Sequence, residues 1–320
     1  MKQIVMEGPK KSKVVEVEMP QIDDNQLLVK VKYTGVCHSE MHPWSVAKAG
    51  ETYGHEPMGT VVEMGKNVSG FKVGDRVCGL GGGYREYVAM DADKTILVPD
   101  NISDEDAVIE PLGCLLSSAS RVPLAKAGDT VAVVGCGYMG LAMISLLKAM
   151  GAGKIVGVDL RQEALENALK FGATEVYTPD TLPESYILDW NSWDKGLDMF
   201  QTGFKIVVEF TGTESGLRLA GDMVSAHGFL GIGGYHNDFE RKIDFKLWNV
   251  KAIIANSLHE RRYEYLVDCC KNAMEMLSSG QWAYKGAITN IFTMDEFDKA
   301  NEMVHDKPKG YIKALVKCSD

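Results

Sequence analysis

Through the first hundred residues the apolar positions fall in short runs rich in β-branched side chains. The runs are 2–6, 13–17, 27–33, 60–64, 76–78, 85–90 and 95–98. Gly, Pro, Asn and Asp separate them, as in Glu7-Gly8-Pro9 and Lys72-Val73-Gly74-Asp75. This spacing predicts a barrel-like β-domain. The pattern changes near Asn101, where Ser103 and Asp106 read as a capping box opening a short helix. From Thr130 strands and helices alternate. Strand 130–134, helix 138–150, strand 154–158, helix 162–171 and strand 175–177 come first. A long polar connection leads to strand 205–210, helix 215–225 and strands 229–232 and 251–255. This series predicts βαβ units on a doubly wound parallel sheet. The tail mixes helices 263–278 and 295–304 with a last strand, 311–317. No internal repeat or low-complexity segment is visible.

The 320 residues suffice for two domains with a substantial core. A formal net charge of −10 argues against nucleic acid or an anionic membrane as the main partner, since both demand a basic face. Met-Lys-Gln-Ile-Val reads as a first strand; it lacks the apolar stretch and cleavage site of a signal peptide. The longest uncharged run, 131–147, approaches a membrane span in length but holds Gly135, Gly137 and Gly140. Seven scattered cysteines fit a reducing compartment, and a cytoplasmic protein is expected.

Those three glycines form Gly-x-Gly-x-x-Gly. With 33 glycines in the chain the motif alone says little, and other glycine-rich turns share it. Here it follows an apolar strand and opens an apolar helix, and an acidic residue, Asp159, ends the next strand. Gly135 permits the tight turn, Gly137 lets backbone approach a pyrophosphate, and Gly140 lets helix and strand pack closely. Tyr138 and Met139 open the helix, whose N-terminus offers free N–H groups to phosphate. Asp159 would accept hydrogen bonds from ribose hydroxyls and repel a 2′-phosphate, favouring NAD over NADP. Arg161, two residues on, weakens that preference.

A second cluster lies upstream. Cys37, His38, Ser39 and His42 fall within 35-GVCHSEMHPW-44; His55 and Glu56 follow in 54-GHEPMGTV-61, and Glu110 in 110-EPLGC-114. Cys37, His55, Glu56 and Glu110 are zinc-ligand types. Their spacing matches no zinc finger, so the residues by themselves leave open whether they converge. Singly, each has a plainer reading: a buried small thiol, a loop histidine, a surface turn.

Taken together and in this order, the motifs resemble the zinc-dependent medium-chain dehydrogenases, the family of alcohol and polyol dehydrogenases. The likeness extends to 73-VGDRV-77, to the Val208-Glu209-Phe210-Thr211-Gly212 turn and to 309-KGYIKALVK-317. It implies a GroES-like β-rich catalytic domain, residues 1–110 and 257–320, around a Rossmann NAD-binding domain at 111–256, with the active site in the cleft between them. It implies one catalytic zinc per subunit on Cys37, His55 and Glu110, with Glu56 either binding the metal or lying just behind it. Ser39 would hydrogen-bond the substrate oxygen, and His42 would end a proton relay through the cofactor ribose. Thr211 joins the cofactor contacts. His38 would face the cofactor phosphates. A homodimer or homotetramer is the family habit.

Zinc with one thiolate, a neutral imidazole and both carboxylates would carry a net charge of −1, a poor Lewis acid. Glu56 and Glu110 are therefore not expected to ligate together during turnover. Zinc lowers the pKa of bound water from about 15.7 to about 7. A similar shift on an alcohol would let it pass hydride to the nicotinamide. The expected reaction is reversible oxidation of a secondary alcohol, a polyol or sugar-derived alcohol, to a ketone. The rival readings are a primary-alcohol or aldehyde reductase and a non-catalytic zinc- and NAD-binding protein.

The chain departs from the family in two places. The short connection 77-VCGLGGGYREY-87 leaves no room for a four-cysteine structural-zinc lobe. Ala255-Asn256 stands where related polyol dehydrogenases carry an Arg-Tyr pair. His259, Arg261 and Arg262 follow closely; they read either as contacts for an anionic substrate group or as a basic helix start partnered by Glu260 and Glu264. Trp44 reads as a pocket wall or as core.

Overall fold

The computed structural model describes residues 1–123 and 128–320. Two compact units divide the chain: Met1–Cys114 with Arg262–Gly280 and Lys285–Asp320, and Leu115–Arg261 with Gln281–Tyr284.

The first unit opens with a hairpin, β1 (Lys2–Gly8) and β2 (Lys11–Glu16). Strand β3 (Gln26–Gly35) is its central element. From Val29 it alternates buried Val29, Val31 and Tyr33 with half-buried Lys30 and Lys32, the period-two signature of a strand with one face in a core. It leads to a short helix α1 (Met41–Ser45), then β4 (Pro57–Met64), β5 (Arg76–Cys78), β6 (Tyr87–Asp91) and β7 (Ile96–Leu97). β3 pairs antiparallel with β4 along most of its length and with β6 over its first residues. Val29, Val31, Trp44, Val61 and Val77 lie in the core of this unit.

Helix α2 (Glu110–Ala119) leads to the second unit. There β8 (Thr130–Val134), α3 (Tyr138–Ala149), β9 (Lys154–Val158), α4 (Gln162–Phe171) and β10 (Glu175–Tyr177) alternate. After α5 (Trp190–Asp194) come β11 (Phe204–Glu209), α6 (Glu214–Met223), β12 (Val224–Ile232), α7 (Phe245–Val250) and β13 (Ile254–Ser257). The six strands are parallel in the order β10-β9-β8-β11-β12-β13. The order reverses between β8 and β11, the switch point where open α/β sheets bind ligands. The expected GroES-like and Rossmann architecture is borne out.

The chain then returns to the first unit with α8 (Tyr263–Ser279), β14 (Ile288–Thr293), α9 (Phe297–Asp306) and β15 (Lys313–Lys317). β15 pairs parallel with β14 and antiparallel with residues 33–35 of β3. This last pairing sets the C-terminal strand beside the segment that leads into Cys37. Among the described residues no helix is long and apolar enough to cross a membrane.

Some elements differ from the sequence pattern. Ser103 does cap Asp106, but only one turn closes, Ala107 N to Ser103 O at 3.0 Å. A single turn fixes several dihedrals for one bond and does not propagate. The helix starts instead at Glu110. The strand expected at 251–255 begins at Ile254. Lys251 ends α7 and is fully buried, its ammonium donating to Leu188 O at 3.0 Å, Gly221 O at 2.6 Å and Asp222 O at 3.3 Å. Ala252 follows at φ 50°, which breaks the helix before the strand.

Burial lowers the Lys251 pKa from 10.5 to about 8, against the pull of Asp222. Between those values the unfolded chain binds more protons than the folded one, so this lysine's contribution to stability rises with pH. Urea unfolding of the natural chain and of Lys251→Met should show their stability difference move toward the natural chain between pH 8 and 10.5. The full movement is about 3 kcal/mol, from 1.36 kcal/mol per pKa unit. A difference independent of pH would mean that the ammonium is not held in its buried cage.

Candidate active site

Cys37 leaves the end of β3, and His55 and Glu56 lie just before β4. Their ligand atoms, a sulfur, an imidazole nitrogen and a carboxylate oxygen, all lie within 4.8 Å of one another. Gly35 makes the approach possible. A Cβ there would come within 1.8 Å of Glu56 Oε2, while Gly35 N donates to Glu56 O at 3.0 Å. Any other residue at that position would displace the Glu56 carboxylate.

His55 is fixed by Glu40, whose Oε1 sits 2.9 Å from Nδ1 and also accepts from Gly54 N at 2.8 Å. Glu40 Oε2 accepts from the buried Tyr84 hydroxyl at 2.7 Å. With Nδ1 committed, Nε2 is left to face a metal, the usual carboxylate-oriented arrangement. Burial opposes a proton on His55, but Cys37, Glu40 and Glu56 overcome it and push the pKa up to about 12. The pocket thus has a strongly negative field that a cation satisfies. Its thiolate, imidazole and carboxylate donors suit zinc.

Glu56 is fully buried and is held by Lys313, whose ammonium lies 2.8 Å from Oε1 and 2.7 Å from Oε2. Only the contact to Oε1 has hydrogen-bond geometry; Oε2 is a buried oxygen without a donor. That free oxygen faces the constraint imposed by Gly35. Glu110, at the first turn of α2, is not a member of the tight cluster; its Oε1 accepts from Cys114 Sγ at 3.2 Å. Burial, then the charge of Glu56, push its pKa up to about 7.

Ser39 Oγ donates to Cys37 Sγ at 3.1 Å, placing the hydroxyl against the sulfur. His42 is half-buried on α1, and its carbonyl accepts from Ser45 Oγ at 2.8 Å. His38 is exposed. Trp44 is a core residue, 3% exposed, with its indole N–H on Asp298 Oδ1 at 2.8 Å.

In the second unit Gly135, Gly137 and Gly140 form the turn between β8 and α3, with Gly135 at φ 96°. A Cβ on Gly135 would meet Phe210 C and Thr211 N at 2.8 Å, and one on Gly140 would meet Gly135 O at 1.8 Å. A Cβ on Gly137, the N-cap of α3, would point into open space, the side on which a pyrophosphate could approach the backbone. Tyr138 and Met139 occupy the first turn of α3. Asp159 Oδ2 accepts from Cys136 N at 2.9 Å and Oδ1 from Arg161 N at 2.9 Å; the Arg161 guanidinium also lies 3.4 Å from Oδ1. Thr211 donates through both N and Oγ1 to the buried Glu209, which also bonds His236. Burial raises the Glu209 pKa, but these bonds outweigh it and hold the carboxyl below its ordinary range.

The basic segment after β13 does not act as one group. His259 bonds Gly234 O at 3.2 Å and meets the Tyr235 ring edge-on. Glu260 pairs with Arg121 and accepts from the Arg261 N–H at 2.8 Å. Arg262 stacks over Tyr265, and Arg261 is exposed.

Residues 23–100 match the alcohol dehydrogenase GroES-like domain, and residues 138–279 match the zinc-binding dehydrogenase domain. The chain belongs to the zinc-dependent medium-chain dehydrogenases. Among relatives in that family, the sorbitol dehydrogenase of Bacillus subtilis is 28% identical, over 99% of this chain and 97% of its own. A D-xylulose reductase of Saccharomyces cerevisiae is 26% identical, over 98% and 96%. The crystal structure of 2R,3R-butanediol dehydrogenase from Bacillus subtilis superposes with a TM-score of 0.80 at 25% identity, over 99% of both chains.

Three contributors to this dehydrogenase site escaped the sequence reading: Gly35, Glu40 and Lys313. The first two lie inside the quoted 35–44 stretch, where the glycine beside a reactive cysteine was the available signal. Lys313 lies inside the quoted 309–317 stretch, where nothing signals that Glu56 is its partner. Replacing Glu40 by Gln removes an acceptor from His55 Nδ1, the Gly54 N–H or Tyr84. Zinc affinity, measured by competition with a chelating dye, should fall roughly 10- to 100-fold while circular dichroism stays unchanged. Unaltered affinity would show that Glu40 does not orient the ligand.

Proposed function

We propose that this chain is a zinc- and NAD-dependent dehydrogenase that oxidises a secondary alcohol, a polyol or sugar-derived alcohol, to a ketone. The observation that carries the reading is the Cys37, His55 and Glu56 cluster with His55 oriented by Glu40. The sorbitol and xylulose enzymes named above, similar over nearly the whole chain, support the substrate class.

Cys37 and His55 would hold the metal, with Glu110 as the third protein ligand. Lys313 offsets the Glu56 charge, so Glu56 stays behind the metal. Zinc 2+, the Cys37 thiolate and the Glu110 carboxylate then sum to zero, and the Lewis acidity that both free carboxylates would quench is kept. A zinc ion held there would supply Lewis acidity to the alcohol hydroxyl, and NAD at the glycine turn would supply the hydride acceptor. Ser39 Oγ takes the hydroxyl proton and passes it toward His42, so that no charge is stranded in the site. Residues 1–110 and 257–320 serve as the catalytic domain and 111–256 as the NAD-binding domain. Asp159 takes the ribose hydroxyls of NAD. Its bond to Arg161 leaves that arginine less free to meet a 2′-phosphate. Among the described residues β13 has no strand paired to its outer edge and all four of its residues are exposed, which fits self-association into a homodimer or homotetramer. Seven free cysteines fit a reducing cytoplasm.

NADH formation at 340 nm over polyols, aldonates and simple alcohols should appear with one polyol class and vanish with a zinc chelator. In Ser39→Ala turnover should drop roughly 100-fold or more, the usual scale for a proton-transfer group, with NAD affinity kept. Equal turnover in that variant would remove Ser39 from the relay; no turnover anywhere would favour a binding protein.

Asp159→Ala should weaken NAD about tenfold and narrow its advantage over NADP, as judged by KM for each, because a charged hydrogen bond contributes about 1.5–3 kcal/mol. An unchanged NAD to NADP ratio would place cofactor selection elsewhere.

A further inference from the structure

A pocket of about 460 Å³ lies in the first unit, with Tyr53, Gly54, Gly82, Gly83, Arg85 and Val88 among its lining. None of Cys37, His55 and Glu56 lines it, so it is separate from the metal cluster. None of its lining residues is acidic either. Arg85 is the only lining residue with a formal charge. Its Nε is buried without an acceptor, and no ion pair to its guanidinium occurs among the described residues. Four other arginines of the fold do pair with carboxylates. Arg76 pairs with Asp104, Arg121 with Glu260, Arg161 with Asp159 and Arg241 with Asp238. Burial alone lowers the Arg85 pKa, and no carboxylate acts against it.

The surroundings are built to seat this guanidinium. Gly81, Gly82 and Gly83 all take positive φ, between 82° and 102°. A Cβ on Gly83 would lie 3.2 Å from Arg85 Nε and Nη2, so glycine leaves the side chain its space. The loop is anchored by Gly81 N to His55 O at 3.0 Å and Gly83 N to Gly54 O at 3.0 Å. Arg85 is half-buried, and a buried Nε–H without an acceptor carries a desolvation cost that a ligand oxygen would relieve. The planar fork of a guanidinium matches two oxygens of a carboxylate or phosphate. We propose that this pocket binds a small oxyanion, a phosphate or a carboxylate, through the Arg85 guanidinium.

The test is calorimetric titration of the full chain with sodium phosphate and, separately, with sodium succinate, at constant ionic strength. The natural chain, Arg85→Gln and Ala89→Glu are compared. Ala89 also lines the pocket, so its replacement offers Arg85 an internal carboxylate without removing the arginine. A saturable isotherm is expected for at least one anion, weakened roughly tenfold or more in both variants, as loss of a charged hydrogen bond implies. Phosphate alone, succinate alone or both identifies which oxyanion the pocket takes. Binding elsewhere, including at the glycine turn before α3, is common to all three chains and cancels in the comparison. If Arg85→Gln does not fold, Ala89→Glu decides. Identical isotherms in the natural chain and the folded variants, or no saturable binding of either anion, would overturn the proposal.

Discussion

Glu56 is a fully buried carboxylate beside the Cys37 sulfur and the His55 imidazole, and Lys313 neutralises it from 257 residues away in the chain. Breaking a buried pair by removing one partner costs about 3–5 kcal/mol, because the remaining charge stays buried. The pairing therefore ties the antiparallel seam of β3 and β15 to the charge state of the site. It also explains why the last strand, a late arrival in the sequence, belongs with the first hundred residues. Without Lys313 the fully buried Glu56 would stand uncompensated beside Cys37, while Glu40 keeps His55 and Tyr84 as partners.

The two halves of the machinery are built by different means. The metal cluster depends on side chains: Glu40 locks His55, Tyr84 locks Glu40, and Ser39 rests on the Cys37 sulfur. Each lock is a directed bond to a charged group, so small changes there alter ligand orientation. The turn before α3 depends on backbone: Gly135 and Gly140 fit where any Cβ would collide, and Gly137 faces open space. Substitutions there act through steric exclusion rather than charge.

Much of this was legible in local pattern. Gly135, Gly137, Gly140 and Asp159 declare themselves because the turn, the helix N-terminus and the next strand are all contiguous. Cys37, His55 and Glu56 are legible as ligand types and meet within 4.8 Å. Glu110 carries the same chemistry but sits outside that tight group, which its residue type could not reveal. The strand expected at 251–255 starts later, at Ile254, because three carbonyls contributed by Leu188, Gly221 and Asp222 draw Lys251 into the interior. His259, Arg261 and Arg262 read either as an anion site or as a helix start partnered by Glu260 and Glu264, and spacing gives no sign that Arg121, 139 residues earlier in the chain, also bonds Glu260.

By itself the sequence determined the α/β class, the parallel nucleotide-type unit, the glycine turn and the inventory of ligand-type side chains. These follow from periodicity and from the steric needs of neighbouring residues, which are short-range. Only tertiary structure decided that Lys313 neutralises Glu56, that Glu40 orients His55, that Trp44 is core and that Arg85 is left without a carboxylate. Each of these depends on which distant groups meet in a low-dielectric interior. There, one charge more or less sets what a site can bind, and spacing along the chain carries no record of it.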